Sequence, residues 1–315
     1  MSHMTNPLAT PDQLYRRRTF GSLPIELQDA IFFSTQCLTQ AAGILLQLPQ
    51  SVTAQANIIL ARYWLVEPIM TYEFSEVSAA SLFLVAKMGP SPRAPRDISN
   101  VYAYLLSSSS SFFRSTSSPD SPPTNDPSTY YRSDTAYQAF HTRVLAIEAR
   151  IFYALGFDTH ISLPHPLAIT YLQALDFLNV TKEKIAKRTL EYLNTALLSP
   201  QMLYCTCQPN ALAVAAIYNA AKDVGAKMPE CEWWDVFDVD REELGFLVVG
   251  MRSVEGWVKK MREEDLPKMK EGMIRREHVE EVLASRGVKS VGGEEDPEAE
   301  MARRMDETME EMEMS

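Results

Sequence analysis

The chain has 315 residues, 46% of them hydrophobic, which is enough to fill two compact cores and leave tails. Of its net charge of −11, most comes from Gly292 to Ser315, where ten Asp/Glu stand against Arg303 and Arg304; the nearly neutral remainder excludes the basic footprint of a nucleic-acid binder. No apolar run reaches the roughly 18 residues of a membrane span, no signal peptide is evident, and four cysteines (Cys37, Cys205, Cys207, Cys231), mostly in apolar stretches, point to a reducing compartment.

In chain order, Ser2-His3-Met4 reads as a cloning remnant, and residues 1–22 read as an N-terminal extension. Apolar residues at helical spacing then predict a helix over Ile25–Leu48, with Pro49 beyond it. Ser51 is placed to cap a second helix, Val52–Val66, which Pro68 ends. The third, Tyr72–Met88, is rich in Ser75, Ser78, Ala79, Ala80 and Ser81. Small side chains let neighbouring helices approach closely, so this helix is expected at the centre of a bundle. Ile98–Leu106 is a shorter fourth helix. From about 107 to 133 the Ser/Pro-rich composition cannot bury enough apolar surface to order the chain, so an insertion is expected within the first domain. Thr135–Leu155, with Phe140, Val144, Ile147, Ile151 and Leu155 on one stripe, is the fifth helix, and Gly156 stops it.

A second set follows: Leu167–Leu178, Lys182–Leu198, Pro209–Val224, a short Glu230–Phe237 and Arg241–Arg262. Its third member again reads small and apolar, ALAVAAIYNAA. The expectation is an all-α fold of two five-helix units, a duplication of architecture rather than of sequence. The boundaries are 23–162 for the first, with its insertion, and 163–263 for the second. Residues 264–315 read as a charged acidic tail.

No chemistry-bearing constellation emerges. Cys205-x-Cys207 lacks a second ligand pair at zinc spacing, the histidines show no nucleophile–base or metal spacing, and no glycine-rich phosphate loop occurs. No catalytic residue, metal or cofactor is expected, and an enzyme is the least favoured class.

The segments LTQAAGILLQLPQSVTAQANIILARYW (Leu38–Trp64), ASLFLVAKMG, AIEARIFYALGFD and LPHPLAITYLQAL together resemble the transcription and splicing cyclins, closest to the L-type. The resemblance runs from about Leu23 to Met261. It implies tandem cyclin boxes, a nuclear location, and a regulatory subunit that binds and activates a cyclin-dependent kinase. The L-type likeness implies a PITSLRE-class kinase acting in RNA polymerase II transcription and pre-mRNA splicing, with splicing or transcription factors as further partners and neither nucleic acid nor membrane bound directly. By resemblance, Lys87 and Glu148 face each other at the kinase contact, and Met88, Phe152 and Phe157 supply its apolar part. Taken alone, the first two are surface charges on separate helices and the others ordinary core; Phe157 is expected half in the core, and Arg62 serves the fold. The chain departs from the family at Met88-Gly89-Pro90, where two acidic residues commonly follow. Ser91, Ser118 and Ser121, each before proline, are candidate phosphorylation sites, and Arg16-Arg17-Arg18 is a short basic run of the kind import signals use. Two other readings stand beside the kinase activator. One is a cyclin-fold scaffold without kinase activation. The other is a cyclin-fold general transcription factor, which would need the basic face this chain lacks.

Overall fold

The structure, a computed structural model, describes residues 5–19, 23–107, 110, 128, 130–178, 183–261 and 273–285. Every regular element among them is helical. The first repeat consists of α2 (Ile25–Leu45), α3 (Gln50–Val66), α4 (Phe74–Met88), α5 (Pro95–Leu105) and α6 (Asp134–Ala154), preceded by α1 (Pro11–Thr19). The second holds α7 (Pro164–Ala174), α8 (Glu183–Leu197), the short α9 (Leu203–Thr206), α10 (Pro209–Val224) and α11 (Arg241–Lys260); α12 (Arg276–Ser285) follows. The expected all-α, two-repeat architecture is the one observed.

α4 is the axis of the first repeat and touches α2, α3, α5 and α6; α10 holds the same place in the second, against α7, α8 and α11. Their composition explains the position. From Phe74 to Ala86 only Glu76 and none of the small residues reaches solvent, and Ala211–Ile217 is buried throughout. A hydroxyl relay supplies the polar part of the first core: Thr39 to Ser78 at 2.6 Å and Ser78 to Tyr102 at 2.6 Å tie α2, α4 and α5 together. Paired in this way, the buried hydroxyls avoid the cost of unmet donors.

The α2–α3 crossing depends on Gly43. A Cβ there would lie 3.0 Å from Thr53 Cβ and nearer still to its hydroxyl and methyl, and no χ1 rotation moves Thr53 Cβ out of the way. Gly43→Ala is therefore expected to destabilise by roughly 1–2 kcal/mol, the overpacking cost less the gain in helix propensity. The check is a lowered urea midpoint with unchanged slope.

Chain ends join the repeats. Asn6 exchanges two hydrogen bonds with Ser162 (2.9 and 2.8 Å) and two with Gln208 (3.0 Å each), and Ala9 N–H donates to the Cys205 carbonyl at 2.7 Å. Gln50 donates to Asn194 at 2.9 Å, which also meets His165 at 3.0 Å, while Phe33 of α2 meets Trp257 of α11 edge-on at 5.5 Å.

Several expectations are corrected. Gln50, not Val52, opens α3: Pro49 stands in the capping position and Ser51 lies inside the helix without a cap bond. The expected helix over Glu230–Phe237 is a single 3-10 turn, Asp235–Phe237, halted by Asp238 in the left-handed region at φ 56°. α7 starts at Pro164, because proline suits a first helical turn, and ends early, with Asp176 at φ 56° and Phe177 N–H reaching back to the Leu172 carbonyl. In the stretch read as an extension, α1 packs on α3. Its Arg17 is buried, 3.4 Å from Asp29 and over the Phe32 ring, while Arg16 pairs with Asp12, so the basic run is split rather than presented whole. Within the stretch read as a tail, Met273, Ile274, Val279 and Leu283 are buried, because apolar residues at helical spacing lie among its charges. Ser118 and Ser121 lie outside the described residues.

Candidate functional site

α4 and α6 pack side by side, and this brings Lys87 and Glu148 together. Lys87 lies in the last turn of α4; Glu148 lies midway along α6, whose start is fixed by Ser133 accepting from Ala136 N–H. Lys87 Nζ is 3.0 Å from Glu148 Oε1 and 3.4 Å from Oε2, and 5.4 Å from the centre of the Phe83 ring. The pair is asymmetric. The glutamate side chain is 6% exposed, whereas the lysine is 55% exposed. Glu148 is thus a fixed, nearly buried anchor that aims an accessible ammonium outward, with N–H capacity left for a carbonyl acceptor.

One turn beyond Glu148 on the same face stands Phe152, half-buried. The C-terminus of α6 then displays a second ring. Gly156 adopts φ 57° and Phe157 φ 62°, with Gly156 N–H donating to the Tyr153 carbonyl and Phe157 N–H to the Phe152 carbonyl at 2.9 Å. This is a Schellman ending, in which a left-handed glycine lets the chain reverse over the last turn. It lays the Phe157 ring on Phe152 at 5.6 Å, stacked at 24°. Phe157 is 65% exposed, so the expectation that it is half core is corrected: it lies on the surface, supported from beneath by Phe152.

Met88, half-exposed, adjoins this group through Thr159, whose hydroxyl lies 3.8 Å from its sulfur. All five expected residues therefore lie toward the C-terminal ends of the paired helices α4 and α6, the Lys87–Glu148 pair bridging the two helices and the Phe152–Phe157 stack closing α6. Sequence reasoning missed Tyr153, exposed and edge-on to Phe157 at 5.7 Å. Its signal was an aromatic residue off the buried stripe of α6.

After Lys87 the chain turns away. Gly89 N–H donates to the Val85 carbonyl at 2.9 Å, a Cβ at Gly89 would lie 3.1 Å from that carbonyl, and Arg93 binds the Leu46 and Gln47 carbonyls at 2.9 and 3.1 Å. The Gly89-Pro90 segment is thereby held against the end of α2, with half-buried Ser91 next to it. Arg62 serves the fold by donating to the His160 carbonyl at 3.1 Å. Burial pushes the Cys205 thiol up to about 11 and raises Cys207 as well, so both are protonated at neutral pH and poor nucleophiles. Among the described residues no cluster of His, Cys, Asp and Glu is shaped to hold a metal ion, and no helix is long and apolar enough to cross a membrane.

No protein-family model matches the chain. Individual proteins do. An uncharacterized cyclin-L1-like protein of Schizosaccharomyces pombe is 31% identical over 212 residues, 66% of this chain and 76% of that protein. Cyclin-L1 of Danio rerio is 28% identical over 65% of this chain and 38% of its own length, and human cyclin-L2 is 27% identical over 66% and 36%. The chain thus spans three quarters of the yeast relative and little more than a third of the vertebrate ones. Among solved structures, a chain of the yeast RNA Pol II CTD kinase complex CTDK-1 superposes with TM-score 0.62 at 15% identity, covering 90% of this chain and 84% of that one. A chain of the CAK complex of Chaetomium thermophilum bound to ATP-gamma-S does so with TM-score 0.56 at 15% identity, covering 92% and 94%. These two show the fold. On the sequence match to the yeast relative, the chain belongs to the cyclin family and stands close to its L-type members.

Proposed function

We propose that the chain is a regulatory subunit, not itself an enzyme, that binds and activates a cyclin-dependent kinase through the Lys87–Glu148 face. The observation that carries this reading is an accessible ammonium fixed by a buried carboxylate beside exposed Phe157, Tyr153 and Met88. Aromatic residues flanking an accessible cation held by a buried carboxylate are the composition of an interface centre rather than of ordinary surface. A kinase helix presenting backbone carbonyls and apolar side chains fits such a face. The cyclin would bind the active arrangement of that helix more tightly than the inactive one, and this difference in affinity does the activating. A stable contact of this kind buries more than about 1,000 Å².

The L-type relatives support a finer reading: a PITSLRE-class kinase, a nuclear location, and work in RNA polymerase II transcription and pre-mRNA splicing, with splicing or transcription factors nearby. Gly89-Pro90, neutral where acidic residues commonly stand, supports one second reading, a cyclin-fold scaffold that binds protein partners without activating a kinase. Affinity purification of the tagged chain from its source cells separates the two. Recovery of a cyclin-dependent kinase that phosphorylates a polymerase-tail or splicing-factor peptide is expected; recovery of partners without a kinase would favour the scaffold.

A further inference from the structure

Residues 273–285 lie after both repeats in sequence, yet they pack on the first. Met273, Ile274, Val279 and Leu283 are all between 2% and 7% exposed. Their seat has three chemically distinct parts. Ser34 on α2 lies 3.0 Å from the Met273 sulfur within the apolar core. Arg275 Nη2 donates to the Leu106 carbonyl at 2.9 Å, a group left open at the end of α5. Glu73, just before the first turn of α4, makes no side-chain capping bond to that helix; its carboxylate instead accepts from Arg276 N–H at 3.4 Å and so serves the N-terminal end of α12. Burial holds the Glu73 carboxyl above its ordinary value, and the bond from Arg276 pulls it back down. This carboxylate therefore gains from having a helix N-terminus seated on it.

We propose that residues 273–285 are an intramolecular plug, seated in a helix-binding groove of the first repeat that they keep closed to partner helices of the same chemistry. That chemistry is an apolar residue, then a basic pair at a helix N-terminus, then apolar positions matching Val279 and Leu283. The plug is weakly held by its nature. A ten-residue helix does not form alone, and thirteen residues must be ordered for four buried apolar side chains. Attachment to α11 supplies the high local concentration that keeps it seated. The plug is also independent of the kinase reading. Glu73 stands just before α4 and Lys87 in its last turn, and a 15-residue helix spans about 20 Å.

The test uses the full chain. In the unmodified protein, α12 amides should exchange at least about 100-fold faster than those of α4 and α10, and a labelled peptide of residues 271–287 should not bind. In Val279→Asp/Leu283→Asp, the melting temperature should fall by no more than about 3 °C, and the same peptide should bind in the micromolar range. Kinase capture by this double variant should match the unmodified chain. Exchange of α12 as slow as that of α4, loss of the cooperative melt in the double variant, or a folded double variant that ignores the peptide would each overturn the plug.

Discussion

Lys87→Glu is expected to weaken kinase binding at least about 100-fold, the loss typical when one member of a desolvated interfacial charge pair is reversed. The geometry also predicts a cost in stability. Glu148 is held nearly out of solvent with Lys87 as its cation at 3.0 Å, so the substitution faces one carboxylate with another. A loss of about 1–3 kcal/mol follows from leaving that buried acceptor without its donor. Phe157→Ala separates interface from fold. Its ring is mostly exposed and rests on Phe152 from outside, so the melting temperature should hold while kinase affinity falls at least about tenfold. Equal affinity of Phe157→Ala and the unmodified chain, measured by titration calorimetry, would remove the aromatic group from the interface.

The largest effect on folding is expected at Trp64. It is 2% exposed near the end of α3, 6.2 Å from the Phe32 ring on α2 and 6.4 Å from Phe74 at the start of α4, and so ties three helices of the first repeat. Trp64→Ala removes the largest side chain at that junction and should cost about 3–5 kcal/mol, with a fall in melting temperature on the order of 10 °C. Trp64→Phe should cost much less. The indole N–H is buried without a partner among the described residues, so that substitution removes an orphan donor while keeping an aromatic ring. Thermal unfolding of the two variants side by side checks the account; equal losses would mean that ring packing is not what Trp64 contributes.

Much of this fold was legible in the residues themselves. The small-residue runs around Ser78 to Ser81 and Ala211 to Ala216 announced two central helices, because only small side chains permit the approach made on every side. Proline and glycine marked most ends correctly. The failures share one cause, which is that tertiary contacts outweigh local composition. Arg17 belongs to a basic triplet in sequence but is buried by Phe32 and Asp29, and Met273 to Leu283 sit among charges yet bury an apolar stripe. Glu230–Phe237 carries helical composition, but Trp233 and Phe237 are engaged in ring contacts with each other, and Phe237 stacks on Tyr171 at 4.1 Å. Those contacts are met by one tight turn.

At the candidate site, spacing alone could pair neither Lys87 with Glu148 nor Phe152 with Phe157. The first pair lies 61 positions apart on two helices, and only resemblance to the cyclins joined them before the geometry did. The second pair could have been read locally, since Gly156 is where a Schellman ending would fold the next residue back over α6. Tyr153 carried only the weak signal of an aromatic residue off the buried stripe, because an exposed tyrosine is common on helix surfaces.

The most direct measurement is the phosphorylation rate of a purified PITSLRE-class kinase, with a polymerase-tail peptide as substrate, in the absence and presence of one equivalent of this chain. A rise of about 100-fold or more is predicted, lost in Lys87→Glu and reduced in Phe157→Ala. A kinase that binds the chain with its rate unchanged, or does not bind it, would contradict the account.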